Sequence, residues 1–217
     1  MRALASVLIC ALFVLPGCVA MKEAGRPAGD AVLKEAAAGS KAATTSPRSI
    51  KASAIVEISR IFSVKGRALI AAESPDRFRI EVLGPLNSTV ALFVSNGTGL
   101  YIFSDGQSAR YDWDDPRVPF PFRPAEVVGA LLGARPPDGG RYGFSTDKAG
   151  RVTELIRQEN GESVIKAAMS DYRTVSGADV PFAITMKDRR KDLGVKYSSV
   201  EVNPDFAPGF FDTDRLP

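Results

Sequence analysis

Short segments that alternate apolar and polar residues recur between turn signals from Ser49 onward, and this pattern constrains the fold more than any other feature. Residues 77–82 (RFRIEV) alternate strictly, as in a strand with one buried face. The dipeptides Asn96-Gly97 and Asp105-Gly106 lie between neighbouring segments and favour tight hairpins. The sequence therefore predicts an antiparallel meander of strands joined by short connections.

About eleven strands are expected, most of them rich in β-branched or aromatic residues. Their ranges are 49–59, 64–73, 77–82, 88–95, 99–104, 107–112, 141–146, 151–158, 162–172, 180–188 and 193–203. Segment 124–133 differs, because a proline near its start, Glu126 in its first turn and Gly133 at its expected C-cap predict a helix. Its apolar stripe consists of Val127, Val128, Leu131 and Leu132. One helix within a meander suggests a curved sheet wrapped around or under that helix.

The N-terminus has the features of a secretory signal peptide. Arg2 supplies positive charge, and the apolar run 3–15 is too short to span a hydrocarbon core of about 30 Å as a helix. The run ends in residues 15–18 (LPGC), which resemble the lipobox of bacterial lipoproteins. The resemblance implies that Cys18 is acylated and becomes the mature N-terminus; the alternative is ordinary secretion with Cys18 as a spare thiol. Val19, where an Asp would imply retention in the inner membrane, implies a lipid anchor in the outer membrane, facing the periplasm.

These features divide the chain into three parts. Residues 1–17 are the predicted signal peptide, 18–48 the lipidated N-terminus with a flexible tether, and 49–217 a single folded domain. The tether assignment depends on segment 21–47, which is rich in Ala, Gly, Lys and Ser and contains no aromatic residue.

Composition excludes several classes of activity. The sequence contains no histidine, which removes Ser-His-Asp and Cys-His catalysis and every His-ligated metal site. The formal net charge of +3 is too small for an electrostatic nucleic-acid footprint. If Cys10 leaves with the signal and Cys18 is lipidated, no thiol remains for a disulfide. We therefore expect a monomer with no catalytic residue, no cofactor, no metal and no nucleic-acid partner.

Segment 76–89 (DRFRIEVLGPLNST) resembles the corresponding stretch of the LolB family of outer-membrane lipoprotein receptors. In that family an Asp-Arg-aromatic-Arg strand leads through an apolar run into a Pro-Leu turn followed by Ser-Thr. The later order is similar, with a central helix ending near Gly133 and a closing strand that contains residues 181–184 (PFAI). The resemblance covers residues 49–203, most of the chain that follows the tether.

This resemblance implies a mainly β, LolA/LolB-like fold: an unclosed antiparallel barrel of about eleven strands with a helical lid over an apolar cavity. It also implies a function in lipoprotein localisation. The protein would receive the acyl chains of a lipoprotein from a LolA-like periplasmic carrier and insert them into the outer membrane, without covalent chemistry.

Leu86 is the residue to which the resemblance gives a membrane role. Residues 84–87 (GPLN) have a turn composition, and a leucine at the tip of a turn is expected to point into solvent. Burying it elsewhere would recover about 1.5–3 kcal/mol. By the family match, Leu86 is the protruding leucine that helps to put the cargo into the bilayer. The alternative is that Leu86 folds back onto a neighbouring strand.

Alternation suggests which side chains line the cavity. On the strand after the Pro-Leu turn, either Leu92 and Val94 or Ala91 and Phe93 share the inner face. The candidates for the acyl-chain cavity are Phe78, Ile80, Val82, Leu92, Ile102, Leu131, Ile156, Phe182 and Ile184. The alternative for any one of them is a place in a filled core. An acyl chain in such a cavity stabilises its complex by about 0.8 kcal/mol per buried CH₂.

Two charged segments are interpreted as solvated turns. Asp112, Asp114 and Asp115 could form a calcium site or a glycosidase pair, but they lack the spacing of a calcium loop. Segment 187–192 (KDRRKD) is expected at a hairpin tip, where its basic residues could touch anionic headgroups.

Three functions therefore remain open. The first is insertion of lipoproteins into the outer membrane. The second is a LolB-shaped carrier or sensor of another envelope amphiphile, such as a glycolipid. The third is a hydrolase of envelope polymers, for which Asp112 and Glu126 are the one carboxylate pair that the sequence suggests.

Overall fold

The computed structural model of the protein describes residues 45–59, 64–119, 121–135, 142–159, 162–189, 192–214 and 216. The predicted signal peptide, Cys18 and the tether as far as residue 44 lie outside the described residues, so the interpretation of these segments stays a prediction.

Eleven strands and one α-helix form the described fold. The strands are β1 (Ser49–Ser59), β2 (Val64–Glu73), β3 (Arg77–Leu83), β4 (Thr89–Asn96), β5 (Gly99–Ser104), β6 (Gln107–Asp112), β7 (Tyr142–Thr146), β8 (Val152–Glu159), β9 (Glu162–Val175), β10 (Ala178–Lys187) and β11 (Asp192–Val202). The helix α1 (Pro124–Leu132) lies between β6 and β7 in the sequence. Each predicted element is present, and β1, β2, β5 and β6 have the predicted bounds.

All the strands belong to one antiparallel sheet with the order β6-β5-β4-β3-β2-β1-β11-β10-β9-β8-β7. The sheet thus consists of two meanders, which are joined by pairing of the first strand with the last. The prediction of one continuous meander is wrong at this point, because the strands on either side of the helix, β6 and β7, are the two edges of the sheet. The described strands therefore form an unclosed sheet, as predicted.

The inner face of the sheet packs against α1, which contacts β2 and β3 of one meander and β9 and β10 of the other. Every residue of α1 except Ala125 is buried, so the helix buries more than the single stripe predicted for it. The helix ends where Gly133 adopts a left-handed conformation with φ 65° and ψ 28°, which confirms the predicted C-cap. Strands of both meanders therefore pack against α1 and share one core with it.

The outer face of the sheet is partly covered by the C-terminal segment, residues 203–216. Phe206, Phe210 and Phe211 pack on one another with ring centroids 4.9–5.0 Å apart. The guanidinium groups of Arg77 and Arg79 lie over the rings of Phe211 and Phe210. A second buried cluster, formed by Leu92, Val94 and Tyr101, packs against Phe103 and Leu216. The sheet therefore has a core on each face, and the second core depends on the C-terminal segment.

Candidate functional site

The connection between β3 and β4 is a tight turn with Leu86 at its tip. Pro85 begins a short 3₁₀ turn, Pro85–Asn87. Ser88 donates to the Pro85 carbonyl from its amide at 3.1 Å and from its hydroxyl at 2.8 Å, and the Gly84 amide donates to the Ser88 carbonyl at 2.8 Å. These hydrogen bonds tie the two ends of the turn together, so its tip has a defined conformation.

Leu86 is completely exposed, with a relative accessibility of 101%, as expected for a turn tip. It does not fold back onto a neighbouring strand. Its backbone is left-handed, with φ 57° and ψ 25°, a conformation that costs an ordinary L-residue about 1–2 kcal/mol. The Leu86 side chain is thus exposed, and its backbone is held in an unfavourable conformation. Strained residues of this kind cluster at functional sites.

Arg67 on β2 holds the same turn from the side. Its Nη2 donates to Asn87 Oδ1 at 2.6 Å. Asn87 is also left-handed, with φ 61°, which asparagine tolerates better than most residues. Sequence reasoning missed Arg67; alternation along β2 places it on the outer face, but no local pattern indicates its contact with the turn.

Six of the nine predicted cavity residues meet in one apolar cluster between α1 and the inner face of the sheet. These six are Phe78, Ile80, Val82, Leu131, Phe182 and Ile184, each at most 7% exposed. Ile102 is partly buried and packs against the same cluster. The side chains are in mutual contact, so an acyl chain can enter between helix and sheet only if α1 moves away from the sheet.

Two predicted cavity residues lie elsewhere. Leu92 belongs to the second cluster, on the outer face, because β4 carries apolar residues at successive positions and it is Phe93 that packs against the inner core. Ile156 on β8 is flanked by Leu155, which is buried in the inner core. Since side chains alternate along a strand, Ile156 points to the outer face, where it pairs with Gly143 and Lys166.

The first turn of α1 is joined to β8 by a buried ion pair. Glu126 is fully buried and accepts from Arg157 Nη1 at 2.7 Å and from the Arg123 amide at 2.8 Å. The Tyr142 side chain also hydrogen-bonds to this carboxylate. Burial raises the pKa of Glu126, and the positive charge of Arg157 opposes that rise. Sequence reasoning assigned Glu126 to the helix dipole and missed Arg157, whose only signal is a charged residue among the apolar positions of a strand.

The C-terminal end of α1 is held by hydrogen bonds to its free carbonyl groups. Tyr197 on β11 donates its hydroxyl to the Leu131 carbonyl at 3.1 Å, and Ser46 donates to the Gly133 carbonyl at 3.1 Å. Burial raises the pKa of Tyr197 well above its usual value, so its hydroxyl keeps the proton that it donates. Together with the ion pair of Glu126, these bonds attach both ends of the helix to the sheet.

The acidic segment after β6 is a turn. Asp115 accepts from Arg117 Nη2 at 2.7 Å, and these contacts lower the pKa of the Asp115 carboxyl to about 2. Asp112 is exposed whereas Glu126 is fully buried, so the two do not face a common cleft. Within the described ranges, no group of three or more His, Cys, Asp or Glu is placed to hold a metal ion.

At the charged hairpin 187–192, Arg189 pairs with Glu162, and residues 190 and 191 lie outside the described part.

No helix in the described part of the chain is both long enough and apolar enough to cross a membrane. In comparisons of the sequence, no family model matches the chain, and no curated protein matches it.

Solved structures show the class of fold. The chain is similar to a LolA superfamily protein from Nitrosomonas europaea, with a TM-score of 0.52 and 13% identity over 80% of this chain and 94% of that one. It is also similar to a putative outer membrane lipoprotein-sorting protein domain from Vibrio parahaemolyticus, with a TM-score of 0.53 and 11% identity over 76% and 90% of the two chains. A DUF1329 family protein from Desulfovibrio piger matches with a TM-score of 0.54 and 9% identity, over 79% and 92%. The protein therefore has a LolA-like fold: an unclosed antiparallel sheet with a short helix on its inner face.

Proposed function

We propose that this protein is a lipid-anchored outer-membrane protein that binds the acyl chains of lipoproteins and inserts them into the outer membrane. The observation that carries the proposal is Leu86, a fully exposed leucine at the tip of a hydrogen-bonded, left-handed turn. The LolA-like fold supports the lipid-binding part, since two of the similar structures are described by that superfamily or by lipoprotein sorting. The delivering partner would be a LolA-like periplasmic carrier, and Cys18 would hold the protein at its target membrane.

In this proposal the cluster between α1 and the sheet provides the affinity for acyl chains. Each buried CH₂ contributes about 0.8 kcal/mol, so a chain of ordinary length is held firmly but without directional bonds. Binding requires that α1 separate from the sheet, and no covalent step or cofactor is involved.

Leu86 provides the contact with the bilayer. Immersing its side chain in hydrocarbon recovers about 1.5–3 kcal/mol, which is not available while it faces water. The gain is larger than the thermal energy but far smaller than the free energy of inserting a whole anchor. Leu86 therefore brings the domain to the bilayer without fixing it there.

The test is to replace Leu86 by Glu and to measure two steps separately: release of a lipoprotein from the carrier, and its arrival in membranes. We expect release to continue while arrival is lost, because only arrival needs the bilayer contact. Lys148→Glu is the control, since Lys148 lies exposed in the turn after β7 and the same new side chain there should leave both steps unchanged. Normal arrival with Leu86→Glu would contradict the proposal.

A second candidate function is transport or sensing of another acylated amphiphile, such as a glycolipid. It is favoured by the chemistry of the inner cluster, whose buried side chains are apolar apart from the Tyr197 hydroxyl, and that hydroxyl is hydrogen-bonded to α1. Such a surface recognises acyl chains whatever head group they carry. Mass spectrometry of lipid extracted from the purified protein distinguishes the two functions: a bound glycolipid supports the second, and a bound lipoprotein the first.

A further inference from the structure

The outer face of the sheet carries exposed apolar side chains beside the Leu86 turn. Ile55 on β1 is 41% exposed and Leu69 on β2 is 49% exposed. Ile55 pairs with Arg67 and Leu69 pairs with Ser53, so Ile55 and Leu69 are diagonal neighbours on one face. Exposed residues of this size on adjacent strands form a patch rather than isolated surface positions.

The C-terminal segment leaves this patch open. It contacts Arg77 and Arg79 near the start of β3 and Asn96 at the end of β4, and Leu216 packs against the cluster of Leu92, Val94 and Tyr101. Leu86 follows β3 and precedes β4, so the contacts with Arg77, Arg79 and Asn96 lie toward the opposite end of these strands. The described part of the chain therefore covers one end of the outer face and leaves the end beside Leu86 exposed.

Basic and apolar residues alternate in one row across this face. The pairing of β3, β2, β1, β11 and β10 places side by side Leu83, Arg67, Ile55, Lys196 and Ala183. Within the described part of the chain, Arg67 and Lys196 have no ion-pair partner; the Arg67 side chain donates a hydrogen bond to the neutral Asn87 amide oxygen. The row thus presents hydrocarbon together with two uncompensated positive charges.

Two acidic residues of the same face that adjoin the patch pair with neighbouring cations. Glu57 pairs with Lys65 at 3.3 Å, and Glu81 pairs with Arg79 at 3.6 Å. The charges that remain on the patch are therefore positive. A surface of this kind complements an anionic lipid bilayer, in which apolar side chains enter the interface and cations approach lipid phosphates.

We propose that the patch of Ile55 and Leu69, with Arg67 and Lys196, is a second membrane contact that docks the outer face of the domain on anionic phospholipid. The inference rests on the proposed function, because it extends the contact made by Leu86. The hydrogen bond of Arg67 to Asn87 makes the patch and the Leu86 turn one continuous surface. Leu86 alone would leave the domain free to tilt, whereas two contacts fix which face meets the bilayer.

The experiment uses the full chain, purified from membranes and reconstituted into vesicles, with a spin label on one introduced cysteine at a time. The variants are Ile55→Cys, Leu69→Cys and Leu86→Cys, with Phe144→Cys and Lys148→Cys as controls on β7 and in the turn that follows it. The unsubstituted chain measures background labelling of Cys10 and Cys18. Accessibility to oxygen, which concentrates in lipid, is compared with accessibility to a water-soluble nickel complex.

We expect the labels at positions 55 and 69 to gain oxygen contact and lose nickel contact in vesicles that contain phosphatidylglycerol, but not in phosphatidylcholine alone. The control labels should respond to neither composition. Equal water exposure of positions 55 and 69 in both kinds of vesicle overturns the inference. A response that includes the control positions also overturns it, because the contact would then not be specific to the patch.

The charge component is tested with Lys196→Gln, since Arg67 also holds the turn and is not a clean target. Removing one cation near an anionic surface should lower the ratio of docked to undocked protein about five-fold. Lys148→Gln removes the same charge elsewhere and should have no effect; equal effects of the two variants overturn the role of Lys196.

The label at position 86 reports separately on the proposed function: if it enters the bilayer while positions 55 and 69 do not, only the docking face is wrong. If it stays in water, the bilayer contact of Leu86 is wrong as well.

Discussion

Leu86 and Gly133 both have left-handed backbone conformations, with φ values of 57° and 65°. At Gly133 the residue type fits the conformation, because glycine has no Cβ to clash with the following carbonyl. At Leu86 the residue type opposes it, and the side chain gains no contact within the domain in return. Gly133 is therefore explained by the fold, whereas Leu86 is explained by a role of its side chain at the surface.

Replacing Leu86 by glycine should therefore keep or raise stability while removing function. Glycine removes the backbone strain, and its larger conformational entropy in the unfolded chain offsets part of that gain in stability. We therefore expect the free energy of unfolding to change by about +1 kcal/mol or less. Arrival of lipoprotein in membranes should be lost. Denaturant unfolding and the transfer assay measure the two effects, and a large loss of stability would show that Leu86 has a structural role instead.

Replacing Gly133 by alanine should be clearly destabilising. A Cβ at this position would lie 2.8 Å from Tyr172 Oη and 2.9 Å from Pro181 Cδ, in addition to the cost of the left-handed conformation. We expect a loss of about 2–3 kcal/mol in the free energy of unfolding. Gly150→Ala is the control, because Gly150 is also left-handed at φ 82° but has nothing within 4 Å of the new atom, so it should lose only about 1 kcal/mol. Equal losses would contradict the close approach at Gly133.

Among the elements, α1 decides whether the inner cluster is open or covered. Its first turn is joined to β8 through Glu126 and Arg157, and its last turn to β11 through Tyr197. These polar contacts and the burial of its apolar side chains hold α1 to the sheet. An acyl chain that enters must offset the free energy of both.

Substitution of Glu126 by alanine should cost up to about 3–5 kcal/mol of stability, because it removes the buried partner of Arg157 and leaves it only the half-exposed Glu159 at 3.3 Å. The double variant Glu126→Leu with Arg157→Leu should recover most of that loss, since two apolar residues leave no buried charge. Denaturant unfolding of Glu126→Leu, Arg157→Leu and the double variant measures the coupling. Additive losses in the double variant would show that the two side chains act independently.

The secondary structure could be predicted from the sequence because the signals are local. Turn dipeptides and alternation place β1 and β2 with correct bounds, and Gly133 marks the end of α1. The pairing of β1 with β11 could not be predicted, since nothing in either strand encodes a partner so distant in sequence. The sequence also left undecided which face of the sheet Leu92 occupies. Its neighbours on β4 are apolar on both sides, and its burial on the outer face depends on the C-terminal segment.

The candidate site likewise has features that local sequence predicts and contacts that it does not. The exposure of Leu86 follows from a turn composition, so it could be predicted from a few neighbouring residues. The contact of Arg67 with Asn87 and the pair of Glu126 with Arg157 join residues far apart in sequence. Such contacts depend on strand register and on the position of the helix, which no local pattern contains.

For the whole molecule, the outer face depends on the C-terminal segment as the inner face depends on α1. Deletion of residues 204–217 would remove Phe211, which is 4% exposed, and would uncover Leu92, Val94 and Tyr101. We expect a loss of about 3 kcal/mol or more in the free energy of unfolding, at about 1.5–3 kcal/mol per buried apolar side chain. Binding of a dye that fluoresces on apolar surface should increase. Arg110→Gln is the milder control, because it removes the hydrogen bonds to the Thr213 and Leu216 carbonyls and the contact with the Tyr101 ring but keeps the packing of Phe206, Phe210 and Phe211.

The pairing of β1 with β11 has a consequence for how the chain is made. Strands appear in order during synthesis, so β1 to β6 can pair with one another long before β11 exists. Until then β1 presents a free edge whose amide and carbonyl groups can accept a strand from any source, including another copy of the chain. The last long strand to be synthesised is therefore the one that protects the first, and a chain interrupted before Asp192 would leave that template open to association with its neighbours.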